Sequence, residues 1–138
     1  MDDAEYWKSL SFTWDTAKHK LTLLCPYLRS ARPGRSAMMT EEECAILEAM
    51  PPRLTVYRGY SSALHGTGHS WTLDKAIAVW FGRWAEKCGY RGRVLTGEVE
   101  RSDVMAYLND RDEKTIITNF EHVNDLSPVF VPEPMRVG

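Results

Sequence analysis

The stretch Leu54-Thr55-Val56-Tyr57-Arg58-Gly59-Tyr60 is where the chain changes character. It alternates and is rich in β-branched and aromatic side chains, the signature of a half-buried strand. Everything before it reads as helix. In Tyr6-Trp7-Lys8-Ser9-Leu10, then Trp14, Ala17, Leu21, Leu24 and Leu28, large apolar residues recur at three- and four-residue steps. The first 32 residues therefore read as helical, with a break expected near Leu24 because Pro26 cannot continue a helix. Arg32-Pro33-Gly34-Arg35 is a loop. Thr40-Glu41-Glu42-Glu43 is a capping box, in which the threonine caps the helix start and Glu43 reaches back. That helix must stop at Pro51-Pro52.

After Tyr60 a polar loop runs to His69 and ends in Ser70-Trp71-Thr72. Thr72-Leu73-Asp74-Lys75 opens a second helix through Ala76, Ala78, Trp80, Phe81 and Trp84, with Thr72 or Asp74 placed to cap it. Gly89-Tyr90-Arg91-Gly92 is a turn. Strands are expected at Arg93 to Val99, Val104 to Leu108, Thr115 to Thr118, and around Val129-Phe130-Val131. Helices first and strands afterwards predict an α+β fold. A length of 138 residues suits one domain, with residues 1–35 as an N-terminal helical part and 36–138 as the core.

Composition narrows the function classes. With 43% hydrophobic and 26% charged residues, the chain has the balance of a folded globular domain. A formal net charge of -2 gives no global signal for nucleic acid, although Arg29, Arg32 and Arg35 cluster locally. The three cysteines, Cys25, Cys44 and Cys88, form neither a zinc spacing nor a paired disulfide framework. The N-terminus is acidic, unlike a signal peptide, and no apolar run approaches a membrane span. A cytoplasmic protein with no membrane partner is expected. His65 and His69 flank Gly66-Thr67-Gly68 without thiols or carboxylates at metal-ligand spacing, so no metal is expected. The same glycine pair lacks the lysine of a phosphate-binding P-loop.

The chemistry sits in two segments in fixed order. Tyr57-Arg58-Gly59-Tyr60 is followed, after the polar loop, by Ser70-Trp71-Thr72-Leu73-Asp74 and then Ala78-Val79-Trp80-Phe81. Taken singly, a strand arginine is a surface charge, Ser70 and Thr72 are helix caps, and the aromatics are core. Taken in this order and spacing, they resemble the Arg–Ser–Glu class of ADP-ribosyltransferases, and in particular its small phage and prophage members. The resemblance covers about residues 36 to 125 and implies a split antiparallel β-sheet core that takes NAD as substrate. It implies that Arg58 holds the NAD phosphates, where a forked, permanently charged donor suits a pyrophosphate. Ser70 and Thr72 would form the central Ser-x-Thr element, with Tyr60 and Trp71 beside them in the cofactor site. Gly59 would let the backbone approach nicotinamide, and Phe81 would wall that pocket.

The family's third motif is a Glu-x-Glu or Gln-x-Glu pair directly before a strand, and its second glutamate is catalytic. In Arg111-Asp112-Glu113-Lys114-Thr115-Ile116-Ile117-Thr118, Glu113 takes the first position and Thr115 the second. Threonine can bond a ribose hydroxyl but cannot oppose the positive charge that develops as nicotinamide leaves. Three ways to supply a carboxylate stay open: Glu113 displaced by two residues, or Asp112 or Glu121 arriving from an irregular loop. Asp112, Glu113 and Lys114 also read simply as a solvated turn.

The resemblance thus implies a mono-ADP-ribosyltransferase acting on a host protein or other macromolecule, with Arg58, Ser70 and Glu113 as catalytic residues. The alternative is a weakened domain that binds NAD, ADP-ribose or a related nucleotide, or blocks a protein partner, without turnover. A third reading is an NADase toxin.

Overall fold

A computed structural model describes residues 2–16, 27, 30–61, 70–87, 92–109 and 112–129. Among them are three α-helices and six strands. In chain order these are α1 (Asp3–Thr16), a 3-10 turn (Arg35–Met38), α2 (Glu41–Glu48), β1 (Arg53–Ser61), β2 (Ser70–Thr72), α3 (Lys75–Lys87), β3 (Gly92–Glu100), β4 (Val104–Leu108), β5 (Thr115–Thr118) and β6 (Asn124–Pro128). The α+β class expected from the sequence is what is seen.

The strands form one antiparallel sheet in the order β4-β5-β2-β1-β3-β6. It is two three-stranded halves. β1 pairs with β3 along its whole length, from Arg53 opposite Glu100 to Ser61 opposite Gly92. β5 pairs with both β2 and β4. The halves meet where β1 touches β2, and among the described residues only Tyr57 and Thr72 are paired there.

Both halves contribute to one core. Leu54, Val56, Val99 and Val123 from one half pack with Trp71, Tyr107 and Ile116 from the other, and Leu47 and Met50 close over them. A second cluster lies on the opposite face of the β4–β5 ladder, where Ala106, Leu108 and Ile117 bury Trp7, Leu10 and Met38. Adjacent Ile116 and Ile117 thus serve different cores, as the two-residue period of a strand requires. Trp7 is fully buried, and its indole N–H donates to the Pro33 carbonyl at 2.9 Å. This satisfies the one polar atom that burial would otherwise strand.

Helix α3 lies against β1 and β3 with unusual closeness. A Cβ on Gly59 would come within 1.9 Å of the Ala78 carbonyl oxygen and 2.8 Å of the Gly82 nitrogen. Gly82 in turn faces the Arg93 carbonyl and Val94, each at 3.3 Å from where its Cβ would be. Small residues at 78 and 82, one helical turn apart, let backbone meet backbone. The helix starts as its sequence dictates. Asp74 Oδ1 accepts from the Ala76 amide at 2.9 Å, and Thr72 Oγ1 accepts from the Asp74 amide at 3.1 Å.

The capping box of α2 is complete, with the Glu43 amide donating to Thr40 Oγ1 at 3.1 Å and the Thr40 amide to Glu43 Oε1 at 2.8 Å. Two side chains from this region also close the outer edge of β4. The Tyr107 amide donates to Met39 Sδ at 3.2 Å, and the Asn109 amide to Glu43 Oε2 at 2.5 Å.

Two expectations change. The last described strand falls at Asn124–Pro128; of the strand expected around Val129-Phe130-Val131, Phe130 and Val131 lie outside the described residues. Val129 only closes the ladder, donating its amide to the Val94 carbonyl at 2.9 Å. The residues of β6 are all exposed, so pairing with β3 and not an apolar face keeps them extended. The N-terminal helical reading is met over Asp3–Thr16 but not at residues 30–32, which are not helical; Leu21, Leu24, Pro26 and Leu28 lie outside the described residues.

Candidate functional site

The strand order puts β2 between the two elements that carry charge. On one side stands Arg58 of β1, whose Nη1 donates to the Ser70 carbonyl at 2.7 Å. This bond joins β1 to the first residue of β2, and it fixes the direction of the guanidinium plane. On the other side stands the turn between β4 and β5. Thr72 Oγ1 donates to the Glu113 carbonyl at 2.7 Å, and the Leu73 amide donates to the Lys114 carbonyl at 3.1 Å. The arginine is thus tied to the first residue of β2 and the glutamate to the last. Two steps of extended chain, roughly 7 Å, separate the two anchors.

Thr72 is the junction. It is buried, pairs with Tyr57 on one side and Thr115 on the other, donates to Glu113 and accepts from Asp74. A serine or threonine is needed here because only a hydroxyl both donates and accepts through one oxygen. Ser70, half-buried and opposite Ile117, contributes its carbonyl. Trp71, between them, belongs to the shared core and gives the strand its rigidity.

The turn itself is held in a strained form. Asp112 and Lys114 have left-handed φ angles of 54° and 48°, a conformation that costs an L-residue about 1 kcal/mol. Asn109 compensates at both ends, accepting from the Asp112 amide through its carbonyl at 3.0 Å and from the Lys114 amide through Oδ1 at 3.1 Å. Glu113, between the two strained residues, is half-buried. Among the described residues its carboxylate has no ion pair and no hydrogen-bond partner.

This geometry decides between readings left open by the sequence. Thr115 is in register with both Thr72 and Leu108, and the two residues before it are pinned to β2. In the structure Glu113 therefore stands two places before Thr115 and not in its place. Glu121, in a short 3-10 turn beyond β5, is exposed and sits past the far end of the strand from Glu113. Asp112 is exposed and adds negative charge near Tyr107, whose hydroxyl is pushed above its ordinary pKa first by burial and then by Glu43, Asp112 and Glu42.

Gly59 has a structural reason of its own, the backbone contact with α3. Phe81 is half-buried and stands edge-on to Trp80, ring centres 5.1 Å apart, on the helix that Gly59 admits. The Tyr60 side chain, His65 and His69 lie outside the described residues. No group of three or more His, Cys, Asp or Glu among the described residues is placed to hold a metal ion, and no described helix is long and apolar enough to cross a membrane. Sequence reasoning missed Asn109 and the second bond of Glu43, because both bridge segments far apart in the chain. Compared with protein-family models, curated proteins and solved structures, the chain matches none of them.

Proposed function

We propose that the chain is a nucleotide-binding domain of the ADP-ribosyltransferase type that takes NAD or ADP-ribose where β1 meets β2, with transfer strongly attenuated. The observation that supports the reading is the bond from Arg58 to the Ser70 carbonyl. It presents a forked cation at the seam of the two half-sheets, oriented before any ligand arrives. A preset guanidinium loses less freedom on meeting a pyrophosphate than a swinging lysine would. Attenuation is argued from Thr115, locked by its register at the position where the resemblance calls for the catalytic glutamate.

Calorimetry with ADP-ribose and NAD tests the reading. Binding to the wild-type chain that disappears in Arg58→Ala, with the unfolding midpoint preserved, is expected. Equal binding by the two proteins would sink it.

The Glu113 carboxylate, which has no ion pair or hydrogen-bond partner among the described residues, favours a second reading, full transfer onto a host protein or other macromolecule. In that reaction the bond from ribose C1′ to nicotinamide nitrogen breaks, and nicotinamide leaves with the electron pair. The acceptor's nucleophile then bonds C1′ and gives up its proton. Glu113 would face the positive charge on the ribose. Labelled NAD incubated with bacterial lysate distinguishes the readings. Transfer of label that is lost in Glu113→Gln selects the second, and undiminished binding without transfer selects the first.

A further inference from the structure

We infer that Glu43 and Asn109 form a positioning relay that holds Glu113 against the end of β2; its functional consequence rests on the nucleotide-site reading above. Glu43 is the third residue of α2 and is 8% exposed. Carboxylates are seldom buried so far unless every oxygen is used. The capping box uses one, Oε1, on the Thr40 amide. The other, Oε2, crosses 66 positions of sequence to the Asn109 amide.

The choice of glutamate identifies what it is for. Glutamine serves a capping box as well as glutamate does. Yet a glutamine here would carry N–H donors at one end of its amide. Held in the capping box by its oxygen, as glutamine boxes are, it would turn its N–H donors toward the Asn109 amide. The helix alone does not demand a carboxylate; the second bond does.

Asn109 passes the constraint on. With its amide fixed by Glu43, its carbonyl and its Oδ1 hold the amides of Asp112 and Lys114, the two left-handed residues on either side of Glu113. From the opposite side β2 holds the carbonyls of Glu113 and Lys114. The glutamate is thus gripped from α2 through Asn109 and from β2 directly. Neither grip touches its carboxylate.

Residue-resolved amide exchange on the full chain tests the relay, comparing wild type with Glu43→Gln, Thr40→Ala and Asn109→Ala. Glu43→Gln should speed exchange at Asn109 and Lys114 by about tenfold or more, the usual effect of losing a charge-assisted bond, and leave Cys44 within about twofold. Thr40→Ala removes the other half of the box and should do the reverse, loosening Cys44 and sparing Lys114. Asn109→Ala keeps its own amide, and so should speed Lys114 without speeding position 109. Lys114 unmoved by Glu43→Gln, or moved equally by Thr40→Ala, overturns the relay.

The functional arm is a double-mutant cycle on ADP-ribose affinity. Glu113→Ala should weaken binding in the wild-type background and have little further effect after Glu43→Gln, because a displaced carboxylate has nothing left to lose. Effects that simply multiply would show that Glu43 does not act through Glu113. Failure of the nucleotide site itself would appear separately, as affinity insensitive to Arg58→Ala, while the exchange arm still judges the relay.

Discussion

Arg58 and Glu113 face the same short strand from opposite sides, but the chain secures them by different means. Arg58 belongs to a ladder paired along its length with β3 and backed by a helix at backbone contact. Glu113 belongs to the turn between Leu108 and Thr115, shaped by two strained residues, with Thr72 and Leu73 donating to its carbonyls and Asn109 accepting from its amides. The difference teaches that the two halves of the candidate site have separate stabilities. Damage to the ladder and helix contact that carry Arg58, as distinct from loss of its guanidinium alone, should unfold the protein. Damage to the carboxylate side should leave it folded and altered in function.

The sharpest way to break the comparison is Gly59→Ala. The added carbon would overlap the backbone of α3, which cannot rotate away as a side chain could, so a loss of about 3 kcal/mol or more is expected. Urea denaturation measures it, and a cost under about 1 kcal/mol would show that α3 is free to shift and the arginine side is not rigid. On the other side, Thr115→Glu should leave stability nearly unchanged and raise label transfer from NAD by about a hundredfold, the typical worth of a preorganised electrostatic group. No gain in transfer would mean that the turn lies wrongly for chemistry whatever side chain it carries.

Thr72→Val sits between the two regions and should show an intermediate effect. It keeps the volume of the side chain and removes the bonds to the Glu113 carbonyl and the Asp74 amide, at a cost of about 1–2 kcal/mol. The smallest effect is expected from Tyr107→Phe, and only in alkali. The folded protein raises the Tyr107 pKa above 10.0, so folding favours the protonated form. The associated stability is fully present below pH 10.0 and is lost as pH rises through the folded value. Wild type should therefore lose stability above that pH, and the phenylalanine variant should lose less; parallel denaturation profiles of the two would remove Tyr107 as the cause.

What the sequence made legible follows the range of the interactions involved. The α2 capping box spans three residues and is read directly from Thr40 and Glu43. The bounds of β4 and β5 follow from apolar runs between turn residues. β6 escaped because Asn124-Asp125-Leu126-Ser127-Pro128 has no apolar alternation, and its extension is imposed by β3. For the site, the Tyr57-Arg58-Gly59 and Ser70-Trp71-Thr72 segments were visible as local patterns. Their pairing across the two strands, and the link from Glu43 to Asn109, depend on contacts between segments whose separation carries no period. A buried second oxygen on a capping glutamate has no local signature at all.

The outer edge of β4 carries one more consequence. An edge strand with free amides is a template on which another chain can add a strand. Here the amides of Tyr107 and Asn109 are already taken by Met39 and Glu43, side chains standing where a neighbouring strand would lie. At the other end of the sheet, β6 carries left-handed Asp125 and finishes at Pro128, which has no amide to offer. The sheet is closed to growth at one end by two borrowed side chains and discouraged at the other by a kink and a proline. The sheet is thereby kept from stacking edge to edge with that of another copy.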